Sequence, residues 1–385
     1  METGEKTQSK KIKDISKALL VTTALTLGSV SGHAQEQHDD MGKESPAELT
    51  YKLYLGGIAS SNDEYLPTEF GFNTHIFANS GENDEELLDL DRFKNTVDEL
   101  SANNQSWIRF NIPRWEGVKL TEGQLIWNEA ELSVFDEAMK YAKDKKLEIF
   151  LVATPPPVDK STNKEDYAKV TSDYFSYIAQ RYKDSIDVWQ INNEIDVHHP
   201  ADYTYNEFEK RDKEFIEAHV KAASESIRAQ DPRANITVNV TGWPVTDDVQ
   251  RNWEEYIEPL LPYINAISLD LYPDGNISQI ESLSERVESM REKFHLPIYV
   301  SETGVCTVGC NLNGMSQKEI LIRILDDLIE AKPKAIIMYE YTDETLTGFA
   351  NKNDNQVEGS FGITDLQGNK KEGYYEILNK MQKEK

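Results

Sequence analysis

Leu147-Glu148-Ile149-Phe150-Leu151-Val152-Ala153 is almost continuously apolar or β-branched, and Ala335-Ile336-Ile337-Met338 repeats the pattern further along. Strands buried on both faces read this way, because neither face alternates with water. Comparable runs fall at residues 70–76, 107–111, 186–191, 236–241, 266–271 and 298–301, and the last extends over 335–341. Stretches of helical period lie between them. Phe215, Ile216, Val220, Ala223 and Ile227 form one apolar stripe, and Ile320, Leu321, Ile324, Leu325 and Leu328 form another. Ser316-Gln317-Lys318-Glu319 has the spacing of a capping box. Eight strands, each followed by a helix, predict an α/β chain folded as a closed (β/α)8 TIM barrel. An open doubly wound sheet would carry a glycine-rich loop after its first strand, and Asn73-Thr74-His75-Ile76 has none. A single catalytic domain is expected over 49–385.

The chain has 385 residues and a formal charge of −27. Such an excess of carboxylates disfavours nucleic acid and anionic membrane surfaces as partners, and suits a neutral substrate. Near the N-terminus Lys10, Lys11, Lys13 and Lys17 precede an apolar run from Ala18 to Leu27, and Gly32-His33-Ala34 follows as a small-x-small site. Residues 1–34 are expected to be a signal peptide, too short to be a stable membrane anchor. The polar stretch 35–48 is expected to be a disordered linker, and the protein to be secreted or periplasmic, as a monomer. Cys306 and Cys310 are the two cysteines. In an exported protein they suit a small disulfide, and two thiols alone make a poor zinc site.

Two glutamates end strand-like runs, Glu194 in Trp189-Gln190-Ile191-Asn192-Asn193-Glu194 and Glu302 in Ile298-Tyr299-Val300-Ser301-Glu302. On the strand count they close the fourth and seventh strands. Catalytic groups of a (β/α)8 barrel gather at those C-terminal ends. Two facing carboxyls there are the minimal equipment for cleaving a glycosidic bond, one donating a proton and the other attacking the anomeric carbon. Arg109, on the second strand, is the candidate cation beside Glu302.

These residues resemble the clan of retaining (β/α)8 glycoside hydrolases with an acid/base on strand four and a nucleophile on strand seven. Ile108-Arg109-Phe110, Trp115, Gly123, Trp127 and Phe135-Asp136 are similar to the first half of family 39-like members, and family 5-like members are the other near relatives. The resemblance covers roughly residues 70–380. It implies Glu194 as acid/base, Glu302 as nucleophile, Asn193 on the sugar 2-hydroxyl, and Arg109 and Tyr272 orienting Glu302. Tyr341, or Tyr339 beside it, stands where the clan often places a tryptophan under the sugar ring. Two departures are that Thr154-Pro155-Pro156 lacks the histidine of cellulase-like family 5, and that Leu271 replaces a histidine before Tyr272.

Trp243 and Trp115 fall on the catalytic rim, where indole faces stack on sugars. Trp107 and Trp127 are expected in the core. His75 is expected either to contact substrate or to pack in the barrel. His198 and His199, with Asp196, raise a metal site, but adjacent histidines rarely converge on one ion and no third ligand is evident. A sugar-contacting loop is the expectation there, with no cofactor and no metal. The partner is a polysaccharide or oligosaccharide. A carbohydrate-binding barrel without turnover and a transglycosylase are the competing readings.

Overall fold

The computed structural model describes residues 67–79, 86–112, 117–158, 162–195, 213–240, 253–273, 275–344 and 359–383. The signal segment, the linker, residues 49–66, Trp115, Asp196, His198, His199 and Trp243 lie outside them. Pro67–Lys385 forms one compact unit.

Eight parallel strands close a barrel. They are β1 (Glu69–Asn73), β2 (Trp107–Asn111), β3 (Glu148–Ala153), β4 (Val188–Ile191), β5 (Ile236–Thr237 and Asn239–Val240), β6 (Ile267–Leu271), β7 (Ile298–Thr303) and β8 (Ala335–Met338). β5 is interrupted at Val238, so its first piece pairs with β4 (Gln190 opposite Thr237) and its second with β6 (Asn239 opposite Ser268). The ring is completed by β8 lying beside β1, with Phe70 opposite Ile336. Among the described residues the helices of ten residues or more are α1 (Leu90–Ala102), α2 (Glu129–Asp144), α3 (Lys164–Tyr182), α4 (Lys213–Gln230), α5 (Leu283–Phe294), α6 (Gln317–Glu330) and α7 (Tyr374–Lys383). The α6 capping box forms, with the Ser316 hydroxyl accepting from Glu319 N and the Glu319 carboxylate accepting from Ser316 N. Among the described residues no helix is long and apolar enough to cross a membrane.

Two of the expected strands run past their ends. β1 stops at Asn73 rather than residue 76, and β8 stops at Met338 rather than residue 341. The β1 and β8 chains leave the ladder there, although Tyr341 N still donates to Asn73 O at 3.1 Å. Apolar composition persists beyond the pairing because these residues turn into the helix layer and the rim.

Residues alternate along each strand, and the two faces serve different purposes. The outward face packs on the helices in one large apolar cluster that includes Phe70, Phe72, Ile149, Leu151, Ile267 and Leu269. The inward face is itself divided. Trp107, Phe150, Val188, Tyr299, Ala335 and Ile337 fill the barrel toward the N-terminal ends of the strands as a separate cluster. Gly71 makes room for Trp107, since a Cβ there would sit 2.2 Å from the Trp107 carbonyl oxygen. Above that plug the inward residues are polar and buried: Asn73, Arg109, Gln190, Asn239, Asp270 and Ser301. A dry floor beneath a polar layer positions the site at the C-terminal mouth.

Beneath the floor, Glu148 opens β3. Burial, with Glu69 and Asp187 close by, pushes its carboxyl from the ordinary 4.5 to about 7. The native state then holds a proton that the unfolded chain has released, so stability falls as pH rises from the unfolded value through about 7. Glu148→Gln should therefore unfold roughly 2 °C higher than the parent near pH 8, a figure discounted for the group's partial access to water. Near pH 4 the two should melt together, and scanning calorimetry at both pH values checks it.

Candidate active site

The polar layer is organised around Arg109. Its position in the middle of β2 sends the guanidinium into the barrel, where the residue is 3% exposed. Nη1 donates to Glu302 Oε1 at 2.5 Å and also to Asn73 Oδ1. Nε and Nη2 donate to Gln190 Oε1 at 3.1 and 3.0 Å, and Nη2 donates to Asn193 Oδ1 at 2.9 Å. Burial opposes the guanidinium charge, but the carboxylates of Glu302 and Asp270 outweigh it and raise the pKa.

Glu302 lies near the end of β7, 7% exposed. Its second oxygen, Oε2, accepts the Tyr272 hydroxyl at 2.6 Å. Burial, reinforced by the Glu302 charge, lifts the Tyr272 phenol well above its usual range, so it stays a donor. Each oxygen of Glu302 is thus held from a different strand's end.

Glu194 sits across the mouth, after β4, and is half-buried. The turn that delivers it passes through two left-handed residues, Asn192 (φ 60°) and Glu194 (φ 47°). Asparagine tolerates that region; glutamate adopts it rarely, and such conformations collect at functional sites. The neighbours over-determine the turn. Asn192 Oδ1 lies 2.9 Å from His219 Nε2, whose other ring nitrogen lies 2.9 Å from the Thr171 hydroxyl. Glu194 N donates to Asn239 Oδ1 at 2.6 Å, and Asn239 Nδ2 donates to Asn193 Oδ1 at 3.2 Å and to Asp270. Asp270 also accepts the Ser301 hydroxyl at 2.6 Å. Complete burial, together with the charge on Glu302, raises the Asp270 pKa well above normal. This relay runs from the Glu194 turn to the residue beside Glu302.

Tyr272, Tyr339 and Phe361 form an edge-to-face aromatic group beside Glu302, with centroids 5.5–6.3 Å apart. Gly304 lets the β8 chain approach, because a Cβ there would lie 2.0 Å from the Tyr339 carbonyl oxygen. Cys306 and Cys310, in the loop beyond it, are joined as a disulfide with Cα atoms 5.5 Å apart.

The structure therefore brings Arg109, Asn193, Tyr272, Glu194 and Glu302 to one mouth. Two expectations need correction. Tyr341 is buried in the helix layer, edge-on to Phe72 and with its hydroxyl 2.9 Å from the Tyr374 hydroxyl, because the chain has left β8 at Met338 and no longer keeps the strand's alternation. Tyr339 takes the place beside the site. His75 lies beyond the end of β1 and does not pack inside the barrel; its Nε2 faces Glu344 at 2.8 Å and Glu340 at 3.3 Å. Trp107 lies in the barrel floor, and Trp127 stacks on Tyr177 at 4.0 Å against the outer core. Asn73, Gln190, Asn239, Asp270 and Ser301 were not singled out from the sequence. Each is a polar residue inside an otherwise apolar strand, and that was the available signal.

A closed barrel with a carboxyl after β4 and another on β7, served by a β2 arginine, is the architecture of the retaining (β/α)8 glycoside hydrolases. Comparison with protein families narrows this. The model of "Cellulase (glycosyl hydrolase family 5)" matches residues 67–326, and the chain belongs to that family. Of the two near relatives considered on motifs, family 5 is thus the one that holds, even without the strand-three histidine. No curated protein matches the sequence. Among solved structures, an exo-β-1,4-mannosidase from an Opitutaceae bacterium (strain TAV5) is similar at 15% identity and TM-score 0.64, covering 84% of this chain and 62% of that one. A GH5_18 protein from Streptomyces cattleya, solved with GlcNAc, is similar at 12% identity and TM-score 0.61, over 83% of this chain and 80% of that one. A family 1 β-glucosidase from Thermotoga maritima is similar at 12% identity and TM-score 0.59, over 82% and 98%.

Removing Arg109 would leave the buried Glu302 carboxylate without its ion-pair partner. Arg109→Met should cost about 3–5 kcal/mol in urea unfolding, the usual penalty for breaking a buried ion pair from one side. Adding Glu302→Gln should return a substantial part of that loss, and a purely additive double variant would contradict the coupling.

Proposed function

We propose that this chain is a secreted retaining glycosidase that cleaves neutral polysaccharides or oligosaccharides by double displacement, with Glu302 as nucleophile and Glu194 as acid/base. The observation that carries the assignment is the oriented carboxylate of Glu302 on β7, with Glu194 on the turn after β4 at the same mouth. Both oxygens of Glu302 are tied, to Arg109 and Tyr272. Attack requires an oriented carboxylate, and this one has little freedom. The Glu194 backbone is anchored by Asn239. Its side chain is half-buried at the mouth, where a proton must be given and later taken back.

In the first step a Glu302 oxygen bonds to the anomeric carbon as the glycosidic C–O bond breaks, and Glu194 transfers its proton to the departing oxygen. In the second, Glu194 takes a proton from water, the water oxygen bonds to the anomeric carbon, and the Glu302 ester bond breaks. Two inversions leave the configuration retained. Asn193, whose Oδ1 accepts from Arg109 at the same mouth, is assigned the sugar 2-hydroxyl in this reading. The formal charge of −27 favours a neutral glycan over a uronate-rich or sulfated one. The similar structures named as a mannosidase and a glucosidase support a β-linked neutral hexose as the first class to screen.

Glu302→Gly should lose at least about 1,000-fold in kcat, and azide should restore turnover as a glycosyl azide of inverted anomeric configuration. Glu194→Ala with azide should give the azide of retained configuration. An NMR time course whose first product is inverted would overturn the mechanism. Tight oligosaccharide binding with no product across a glycan panel would favour a binding barrel, and products longer than the substrate would favour transglycosylation. Export follows from the N-terminal segment. Expressed in a secreting bacterial host, the mature protein should begin at Gln35 by N-terminal sequencing, and retention of residues 1–34 in the soluble product would refute it.

A further inference from the structure

Beside the aromatic group, at the junction of β8 and β1, lie three ligand-type side chains that the proposed reaction does not use. His75 follows β1 by two residues, Glu340 follows β8 by two, and Glu344 comes four residues later. One nitrogen and one oxygen from each carboxylate lie within 4.8 Å of one another. The pairing of the group is incomplete. Glu340 is 1% exposed, yet neither of its oxygens receives a hydrogen bond among the described residues. His75 Nε2 stands 2.8 Å from Glu344 Oε1 and 3.3 Å from Glu340 Oε2. These are ion-pair contacts, with no well-aligned hydrogen bond to Nε2 among the described residues. His75 faces Glu340 as an ion-pair partner, but a buried carboxyl without an aligned donor is still costly, and such groups commonly serve a cation or a ligand.

We propose that His75, Glu340 and Glu344 bind a divalent transition metal ion, with Zn2+ as the best fit. A tetrahedral ion with bonds of about 2.0–2.2 Å sets its ligand atoms roughly 3.4 Å apart. The His75–Glu340 separation of 3.3 Å already meets that, and the Glu344 separation of 2.8 Å needs to open by about half an ångström. Charge also balances, since two carboxylates and a neutral imidazole around a divalent ion sum to zero. One imidazole with two carboxylates suits zinc or manganese, whereas calcium prefers six to eight oxygens. The remaining coordination position is left for water.

The ion's role would be positional. The His75 ring meets Tyr339 edge-on at 6.2 Å, and Tyr339 packs on Tyr272, whose hydroxyl holds Glu302. An ion at this junction ties the end of β8 to the end of β1 behind that aromatic group. The site stands independently of which glycan is cleaved, or whether one is.

The test uses the whole protein, stripped with a chelator and dialysed. Isothermal titration with ZnCl2 should give one site with a dissociation constant of about 10 μM or tighter, and zinc should raise the unfolding temperature. Co2+ in its place should show the visible d–d absorption of a tetrahedral nitrogen–oxygen site. Glu344→Gln, a change at the more accessible ligand, should weaken zinc binding at least about 10-fold while leaving the far-UV circular dichroism unchanged. His75→Ala should abolish the cobalt spectrum. Absence of binding up to about 1 mM zinc would overturn the proposal. So would equal binding by the His75→Ala and Glu344→Gln variants, which would assign the ion to other ligands.

Discussion

The structure depends on a single buried cation. Arg109 has five N–H donors, and all five are engaged, by Asn73, Glu302, Gln190 twice and Asn193. Burying a guanidinium is expensive unless charge and every donor are compensated, and here both conditions are met. The compensating groups come from β1, β4 and β7 and from the turn after β4. One side chain therefore fixes the relative positions of four places on the barrel mouth. Moving any of them by the length of a hydrogen bond would leave a buried charge or dipole unpaid.

That constraint explains why the barrel interior is divided. A continuous apolar filling, such as Trp107, Phe150 and Tyr299 supply at the floor, would give more hydrophobic stabilisation and no chemistry. A fully polar filling would demand partners for every group. The compromise confines polarity to the upper layer, where Asn239, Asp270 and Ser301 satisfy one another in sequence. Asp270 is informative here. Buried completely near Glu302, it has its pKa raised, and both its oxygens accept hydrogen bonds, from Asn239 and Ser301.

Much of the barrel was legible because burial on both faces writes itself as unbroken apolar runs, and amphipathic stretches spaced between them leave few alternatives. Glu194 and Glu302 were legible for the same reason, as carboxyls placed where a strand ends. Gln190, Asn239 and Asp270 were harder. Each is one polar residue in a strand, and which face it occupies depends on a register that only closure of the barrel sets. The interruption of β5 at Val238 is of this kind, since it changes which strand each half addresses. Tyr339 and Tyr341 show the limit most clearly. Both are tyrosines beyond β8, and nothing in their composition says which turns toward Phe361 and which toward Tyr374.

The two glutamates differ in a way that suits the proposed chemistry better than symmetry would. A nucleophile gains from rigidity, because lost motion is entropy already removed before the transition state. Glu302 has that rigidity, with both oxygens hydrogen-bonded inside the mouth. A group that first donates and then accepts a proton gains from access to water. The turn at Asn192-Asn193-Glu194 supplies a fixed backbone through Asn239 and His219 while leaving the carboxyl half-exposed at its end. Placing Glu194 in a left-handed conformation costs stability that an extended strand end would not. A sequence that bears this cost at one residue, and surrounds it with buried amides that specify the turn, is spending stability on direction. On that ground the donor is the residue on the turn and the attacking group is the residue on the strand.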